Sequence, residues 1–366
     1  MRIALDGMLL GGHHSGVEQS IAGLIHALPQ AAPEHEYLLV CRREYAPDSP
    51  LPTLVAPAWA QARLGRIIYE QTRLAHDLWG RCDLLHAPGY IMPLNWRGPS
   101  VLTVYDVIAL QFPHLCTPGN VWHYGRMLPR SLRRADAIVV PTETVARDVR
   151  QLVPEAGEKL HVIPLGIEEC YRPATETEIV RVRQQHGLPE RTLLCVGNIE
   201  PKKNLPAVLE AFDEAAATLP HDLVIAGRPA WRCGEFQATL AGLRHRARVH
   251  VLGYVAGADL PALYSGADLL IQWSHYEGMG LPPLEAMACG TPALVSDGGA
   301  LPEVAGVAAQ VVPLGPPQRL AEALVALMQN EARLAQLREA GLRHASQFTW
   351  PAHAARVAQL YAQVSQ

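Results

Sequence analysis

Short apolar runs alternate along the chain with longer segments in which apolar residues recur at every third or fourth position. The short runs predict buried β-strands, and the longer segments predict amphipathic helices. In the first half of the chain, strands are predicted at 1–6, 36–41, 82–87, 100–104, 137–140 and 160–163. Helices are predicted at 17–28, which Pro29 should end, and at 63–78, 120–134 and from 145 onward.

The same alternation starts again after a polar stretch at 172–178. Here the predicted strands are 192–196, 222–226, 249–252, 268–272 and 293–295, and the predicted helices are 206–217, 259–265 and 284–288. Strands that alternate with helices are typical of doubly wound domains, so the predicted fold class is α/β. We therefore expect two Rossmann-like domains, 1–168 and 169–347, followed by a terminal helical segment, 348–366.

The composition is that of a folded protein and narrows the classes of function. Of the 366 residues, 49% are hydrophobic and 18% are charged, which is typical of globular domains. The net charge of −4 gives no support for a nucleic-acid partner. No apolar run reaches the roughly 18 residues of a membrane span, and the N-terminal apolar run is too short for a secretory signal. We therefore expect a cytoplasmic location, with the seven cysteines as reduced thiols.

The stretch 274–303 carries the strongest candidate chemistry. Glu277 precedes the glycine-rich turn 278–280, and two prolines follow at positions that suit the first turn of a helix. Free N–H groups and glycines at the start of a helix favour a phosphate, whereas the carboxylates of Glu277 and Glu285 suit hydroxyl groups. The pattern indicates a ligand with both a diphosphate and a polyol. The alternative is an ordinary loop-to-helix junction with a solvated glutamate.

This stretch, E-G-M-G-L-P-P-L-E-A-M-A-C-G-T-P, resembles the E-x7-E signature of the retaining glycosyltransferases of family 4. The resemblance continues through Pro302-Glu303-Val304. It implies the GT-B fold, in which two Rossmann-like domains face a central cleft and the last helix crosses back onto the first domain. It also implies transfer of a hexose of the mannose, rhamnose or glucose type from a nucleoside diphosphate sugar to a hydroxyl, with retention at the anomeric carbon.

The resemblance assigns expected roles to individual residues. Glu277 would hold hydroxyls of the transferred sugar, Glu285 the ribose, and Lys203, in E-P-K-K-N, the diphosphate, whereas we interpret Lys202 as a solvated surface lysine. The developing charge on the leaving group would also be stabilised by the backbone N–H groups of Gly278, Met279, Gly280 and Leu281. Further donor contacts are expected at Gly16, Asn198, Tyr254 and Val255.

Two positions depart from the pattern of the family. Many relatives have His-Asp where this chain has Tyr105-Asp106, and an arginine where it has Asn198. We place Tyr105 and Asp106 with Glu277 and Lys203 among the candidate catalytic residues, although tyrosine is a poor general base near neutral pH. Three explanations stay open: the family's histidine is not essential as a base, His86 or His13 supplies its contact, or activity is weakened.

No D-x-D motif occurs, so metal independence is expected, and His13-His14 is more simply polar surface than a metal site. No cofactor is expected beyond the donor, for which GDP-mannose is a candidate. The expected acceptor is a saccharide or a lipid-linked saccharide. The basic helix at 120–134 could bind such an anionic acceptor at the inner face of a membrane, but we favour a solvated helix face. Competing functions are a degenerate nucleotide-sugar-binding partner of another transferase, a sugar epimerase and a phosphorylase.

Overall fold

The computed structural model describes residues 1–11 and 15–365. Contacts divide the chain into two compact units. Unit 1 comprises Met1–Gly166 and Phe348–Gln366, and unit 2 comprises Ile167–Gln347. Each unit has a parallel sheet, its own apolar core and helices that connect the strands. The α/β prediction is therefore confirmed.

In the described part of unit 1, seven parallel strands form a sheet in the order β3-β2-β1-β4-β5-β6-β7. Its central strands are buried along their whole length, which explains why their sequences are continuous apolar runs. The strands are β1 Arg2–Asp6, β2 Glu36–Cys41, β3 Thr53–Val55, β4 Leu84–Ala87, β5 Ser100–Thr103, β6 Ala137–Val140 and β7 Leu160–Val162. The helices are α1 Gly16–Ala31, α2 Arg63–Thr72, α3 Leu74–Asp77, α4 Ile108–Gln111, α5 Pro118–Arg134 and α6 Glu143–Leu152, with the C-terminal helix Trp350–Val364.

In unit 2, six described parallel strands form a sheet in the order β10-β9-β8-β11-β12-β13. The strands are β8 Thr192–Val196, β9 Asp222–Ala226, β10 Val249–Gly253, β11 Leu269–Gln272, β12 Ala293–Val295 and β13 Ala309–Val311. The helices are α7 Glu176–His186, α8 Leu205–Ala215, α9 Gly234–Gly242, α10 Leu260–Ser265, α11 Leu281–Ala288, α12 Leu301–Ala305, α13 Pro317–Met328 and α14 Glu331–Ala345.

Two details of the predicted helices are wrong. Helix α1 continues through Pro29 to Ala31, because a proline in the last turn removes one hydrogen bond while the Ala32 N–H still donates to the Leu28 carbonyl at 2.9 Å. The helix predicted at 63–78 is broken at Arg73, whose φ of −117° lies outside the helical range. No helix among the described residues is long and apolar enough to cross a bilayer.

The C-terminal helix packs on α1 within unit 1. The ring of Trp350 lies against Gly23, where a side chain would overlap the indole. At the other end of the helix, the buried Tyr361 Oη lies 2.6 Å from Nδ1 of His86, whose Nε2 lies 2.8 Å from Thr103 Oγ1. The helix is therefore joined to the centre of the unit 1 sheet.

We expect Gly23→Ala to destabilise the protein by roughly 2 kcal/mol, because the new methyl group forces a rigid indole to move. Gly125→Ala is the matched control, because Gly125 lies within α5 and an added Cβ there meets nothing within 4 Å. That change should stabilise by about 1 kcal/mol through helix propensity alone. Urea denaturation measures both, and equal effects of the two substitutions would contradict the packing argument.

Candidate functional site

The carboxyl ends of the unit 2 strands form a continuous edge of loops. The Gly197 N–H donates to the Ala226 carbonyl at 2.9 Å, and the Gly227 N–H donates to the Gly253 carbonyl at 2.7 Å. A Cβ on Gly227 would overlap the Gly197 carbonyl oxygen, so only glycine allows the loops after β8 and β9 to approach this closely. In open parallel sheets this edge is where ligands bind.

Glu277 is buried at this edge and is held by several donors at once. Its Oε1 accepts from Lys203 Nζ at 2.8 Å, Gln272 Nε2 at 2.8 Å and Ser274 Oγ at 2.9 Å. Burial alone would raise the pKa of Glu277, but the positive charges of Lys202 and Lys203 outweigh that effect and lower it to about 2. The structure thus brings together two predicted site residues, Glu277 and Lys203, as an ionised pair.

The interpretation of Lys202 as a solvated surface lysine is wrong. Its side chain is mostly buried, with Nζ 3.6 Å from Glu277 Oε2 and 3.7 Å from Glu200 Oε1. The Lys202 carbonyl also accepts a hydrogen bond from the His275 N–H at 2.7 Å, which ties the loop after β8 to the loop after β11. Lys202 is therefore a further candidate site residue that the sequence reasoning missed, although the adjacent Lys203 gave a signal for it.

Helix α11 begins directly after Gly280, whose φ of 83° is the left-handed conformation that glycine adopts freely. A side chain there would also crowd Leu301. The helix itself adds few donors beyond the expected ones, because Pro282 and Pro283 have no N–H. At the start of the helix, Gly280 and Leu281 carry the N–H groups that have no intrahelical acceptor.

Glu285 occupies a different environment from Glu277. It is buried in the fourth position from the end of α11 and accepts a hydrogen bond from the Tyr264 hydroxyl at 2.6 Å. Burial raises its pKa to about 7, because little beyond tyrosine hydroxyls compensates for the lost hydration of the carboxylate. At neutral pH, Glu285 can therefore donate as well as accept hydrogen bonds. Its predicted contact with a ribose stays a prediction.

Two of the residues expected to contact the donor, Tyr254 and Val255, directly follow β10. Tyr254 is 47% exposed, whereas the adjacent Val255 is buried. The Arg228 guanidinium lies over the Tyr254 ring, 4.1 Å from its centroid. Asn198 is exposed in the loop after β8, on the same edge of the sheet. No motif pointed to Arg228, which becomes visible only when neighbouring strand ends are placed side by side.

The candidate catalytic residues of unit 1 are packed into its fold. Asp106 accepts from the Tyr90 hydroxyl at 3.0 Å and from the Ile108 N–H at 3.1 Å, so both of its oxygens hold the loop after β5. Tyr105 is buried with its ring centroid 5.5 Å from that of Tyr90, and burial raises the pKa of its hydroxyl. Tyr105 is thus a neutral packing group, and its catalytic role stays a prediction.

His86 and His13 were the two candidates to replace the family's histidine in contacting the donor. The proposal that His86 contacts the donor is wrong, because His86 is fully buried and both ring nitrogens are hydrogen-bonded within unit 1. His13 and His14 lie outside the described residues. Gly16 is the first residue of α1, after the capping residue Ser15, and a Cβ at Gly16 would meet nothing within 4 Å. Within residues 1–11 and 15–365, no group of three or more side chains could hold a metal ion.

Two family models match the chain. "Glycosyl transferases group 1" matches residues 177–344, and "Glycosyltransferase Family 4" matches residues 14–169. The chain is 30% identical over 317 residues to a D-inositol 3-phosphate glycosyltransferase of Xylanimonas cellulosilytica, covering 80% of this chain and 74% of the relative. It is 26% identical over 294 residues to the O-antigen chain mannosyltransferase B of Escherichia coli, covering 78% of this chain and 77% of that relative.

Solved structures show the same fold. Anabaena HepE in complex with UDP and glucose matches with a TM-score of 0.81 at 20% identity, over 99% of this chain and 100% of that chain. WaaG, a glycosyltransferase involved in lipopolysaccharide biosynthesis, matches with a TM-score of 0.76 at 17% identity, over 97% and 99% of the two chains. The predicted GT-B fold and the predicted family are both confirmed by these comparisons.

The raised pKa of Glu285 predicts a pH-dependent stability that Glu285→Gln should remove. Because the pKa of about 7 in the folded protein lies above the usual glutamate value of 4.5, folding favours the protonated acid. This stabilisation is present at low pH and is lost as the pH rises through about 7. Between pH 5 and pH 8, the wild type should therefore lose roughly 2 kcal/mol relative to Glu285→Gln.

Urea denaturation at several pH values across this range measures the difference. Glu214→Gln is the control, because Glu214 is exposed on α8 and its replacement should give a difference that does not vary with pH. A pH-independent difference between the wild type and Glu285→Gln would show that Glu285 titrates normally.

Proposed function

Because the chain belongs to the family 4 glycosyltransferases of GT-B fold, we propose that it moves a hexose from a nucleoside diphosphate sugar to an acceptor hydroxyl with retention of configuration. The observation that carries this proposal is the buried ion pair between Glu277 and Lys203 at the start of α11. The pair places a fixed cation beside backbone donors and glycines. That combination is what a leaving diphosphate requires.

In this proposal, Lys203 stabilises the charge that develops on the diphosphate as the glycosidic bond stretches. The three groups that donate to Glu277 hold its carboxylate ionised and in one orientation, so the carboxylate can position hydroxyls of the transferred sugar. Those donors also make Glu277 a weak nucleophile, because its Oε1 already accepts three hydrogen bonds. We therefore assign Glu277 a positioning role, with no glycosyl-enzyme intermediate.

The proposed donor carries mannose, rhamnose or glucose, and GDP-mannose is the first to test. Two observations support this range of sugars: one relative is named as a mannosyltransferase, and HepE was solved with UDP-glucose. We also propose that the reaction needs no metal ion or other cofactor, with Lys202 and Lys203 neutralising the diphosphate in its place.

A variant pair tests the proposed roles. We expect Lys203→Met and Glu277→Gln each to lower kcat roughly hundredfold, which is typical for the loss of one charged group that stabilises a transition state. Arg343→Met, an exposed cation on α14, is the control and should transfer at the wild-type rate. Activity is measured with purified protein, EDTA and GDP-, UDP-, dTDP- or ADP-sugars, and proton NMR of the product reports the anomeric configuration.

Three outcomes would contradict this function: inversion at the anomeric carbon, full activity of both variants, or activity only with added metal ion. The non-catalytic alternative is motivated by Tyr105 and Asn198. It predicts that the wild type binds a nucleotide sugar and transfers nothing to any acceptor.

For the acceptor, we propose a lipid-linked saccharide reached at the cytoplasmic face of a membrane. Unit 1 carries exposed apolar side chains next to arginines: Leu64 on α2 is 70% exposed and Trp122 on α5 is 64% exposed. Arg63 Nη2 donates to Asn120 Oδ1 at 2.6 Å, so the starts of the two helices lie together. Arg126 also lies over the Trp122 ring at 4.6 Å. Apolar and cationic groups on one surface suit an anionic bilayer.

We expect the protein to sediment with vesicles that contain anionic phospholipid and to do so severalfold less with vesicles of zwitterionic lipid alone. Leu64→Ser with Trp122→Ser should lower the bound fraction, because apolar area for insertion is lost. Val307→Ser, at an 89% exposed position in unit 2, is the matched control and should bind normally. Equal binding by the double variant and the control would contradict this surface.

A further inference from the structure

We propose that Arg228 reads the nucleobase of the donor and selects guanine. The inference rests on the proposed function, because it takes the bound ligand to be a nucleoside diphosphate sugar. It names a specificity-determining residue that is not part of the Glu277–Lys203 pair. Arg228 lies two residues after the end of β9, on the same edge of the unit 2 sheet as the loop that carries Lys203.

The backbone at Arg228 is fixed by the neighbouring loop. Its carbonyl accepts from the Ile199 N–H at 2.9 Å, and the Ala230 N–H donates to the Ile199 carbonyl at 3.0 Å. Gly227 packs against the Gly197 carbonyl just before it. Arg228 is therefore attached to the same loop that carries Lys203, and its position relative to the phosphate-binding residues is set by main-chain hydrogen bonds.

The guanidinium lies over the ring of Tyr254. It lies 4.1 Å from the ring centroid, and Arg228 is itself exposed. Among the described residues, no carboxylate lies within ion-pair distance of Arg228, so its charge is not used by a partner. An arginine stacked in this way on one face keeps its second face and its N–H edge for a ligand, and both nucleobases and guanidinium groups stack well.

The N–H edge decides which base is preferred. A guanidinium presents parallel donors, and guanine places two acceptors, O6 and N7, side by side, which makes this the commonest bidentate contact between arginine and a base. Adenine places a donor beside N7, and uracil has no such pair of adjacent acceptors. A stacked arginine with a fixed backbone therefore favours a GDP-linked donor over an ADP- or UDP-linked one. Lysine, a point charge, would keep the attraction to phosphate but lose this geometry.

The chain offers a matched control in Arg232, four residues later. Its guanidinium also lies over an aromatic ring, that of Trp231, at 5.2 Å. Replacing either arginine by lysine keeps the net charge of the protein. A difference between the two variants then reports the position and geometry of Arg228 rather than general electrostatics.

The test is isothermal titration of the full chain with GDP, ADP and UDP. We expect the wild type and Arg232→Lys to bind GDP roughly tenfold more tightly than ADP or UDP, which is typical of one bidentate base contact. Arg228→Lys should bind GDP about tenfold more weakly and bind ADP and UDP within about twofold of the wild type, which abolishes the preference. Tyr254→Leu, which removes the stacking surface, should reduce the preference in the same direction.

Either of two results overturns the inference alone: a wild type that binds these nucleotides without preferring GDP, or an Arg228→Lys variant that keeps the preference. In both cases nucleotide binding and sugar transfer would persist, so the proposed function would stand. A wild type that melts cooperatively and binds none of the three nucleotides, nor dTDP, would overturn the inference and the proposed function together.

Discussion

The buried carboxylate of Glu277, in the loop between β11 and α11, is the group around which the neighbouring loops of unit 2 are arranged. Removing the charge of Glu277 from water is costly, and it is tolerated here because a lysine, an amide and a hydroxyl all donate to the same oxygen. Lys203 comes from the loop after β8, whereas Gln272 is the last residue of β11. The two strands pair directly, with Leu270 opposite Leu194, so the register of the sheet brings the lysine to the glutamate.

The same constraint explains the glycines that surround the pair. The loop after β12 approaches so closely that a Cβ on Gly299 would overlap the backbone of Glu277, and the Ala300 N–H donates to the Glu277 carbonyl at 2.8 Å. Gly299 also has a φ of 62°, a left-handed conformation that glycine adopts more readily than any other residue. The segment that carries Glu277 is thus fixed by the backbone of the loop after β12. Such support is what keeps a charged pair in one geometry before a ligand arrives.

Sequence reasoning recovered the strands whose burial is strong and regular. It missed elements whose burial is slight, and it also missed α13, although four residues of that helix are buried. Strands such as β5 and β6 are apolar throughout because both faces are covered. The missed strands, β3 and β13, are three residues long and mostly half-buried. Helix α7 has a single buried residue, Val182, so it carries no apolar period, and its start lies within the polar stretch 172–178. Within the site, Glu277 and Lys203 were found through a motif, whereas Arg228 depends on a contact between residues 26 positions apart, which no local pattern encodes.

Glu277 and Glu285 show how one residue type acquires two electrostatic characters eight positions apart. Both are buried, but Glu277 is opposed by two lysines and has a pKa of about 2, whereas Glu285 has tyrosine for a neighbour and a pKa of about 7. The two lysines of this edge face the carboxylates of Glu277 and Glu200, and protonation of Glu285 keeps a third negative charge away from them. Ionisation of Glu285 adds that charge, and its carboxylate is close enough to interact with Lys203. The attraction for a diphosphate is therefore strongest below neutral pH and weakens as Glu285 loses its proton.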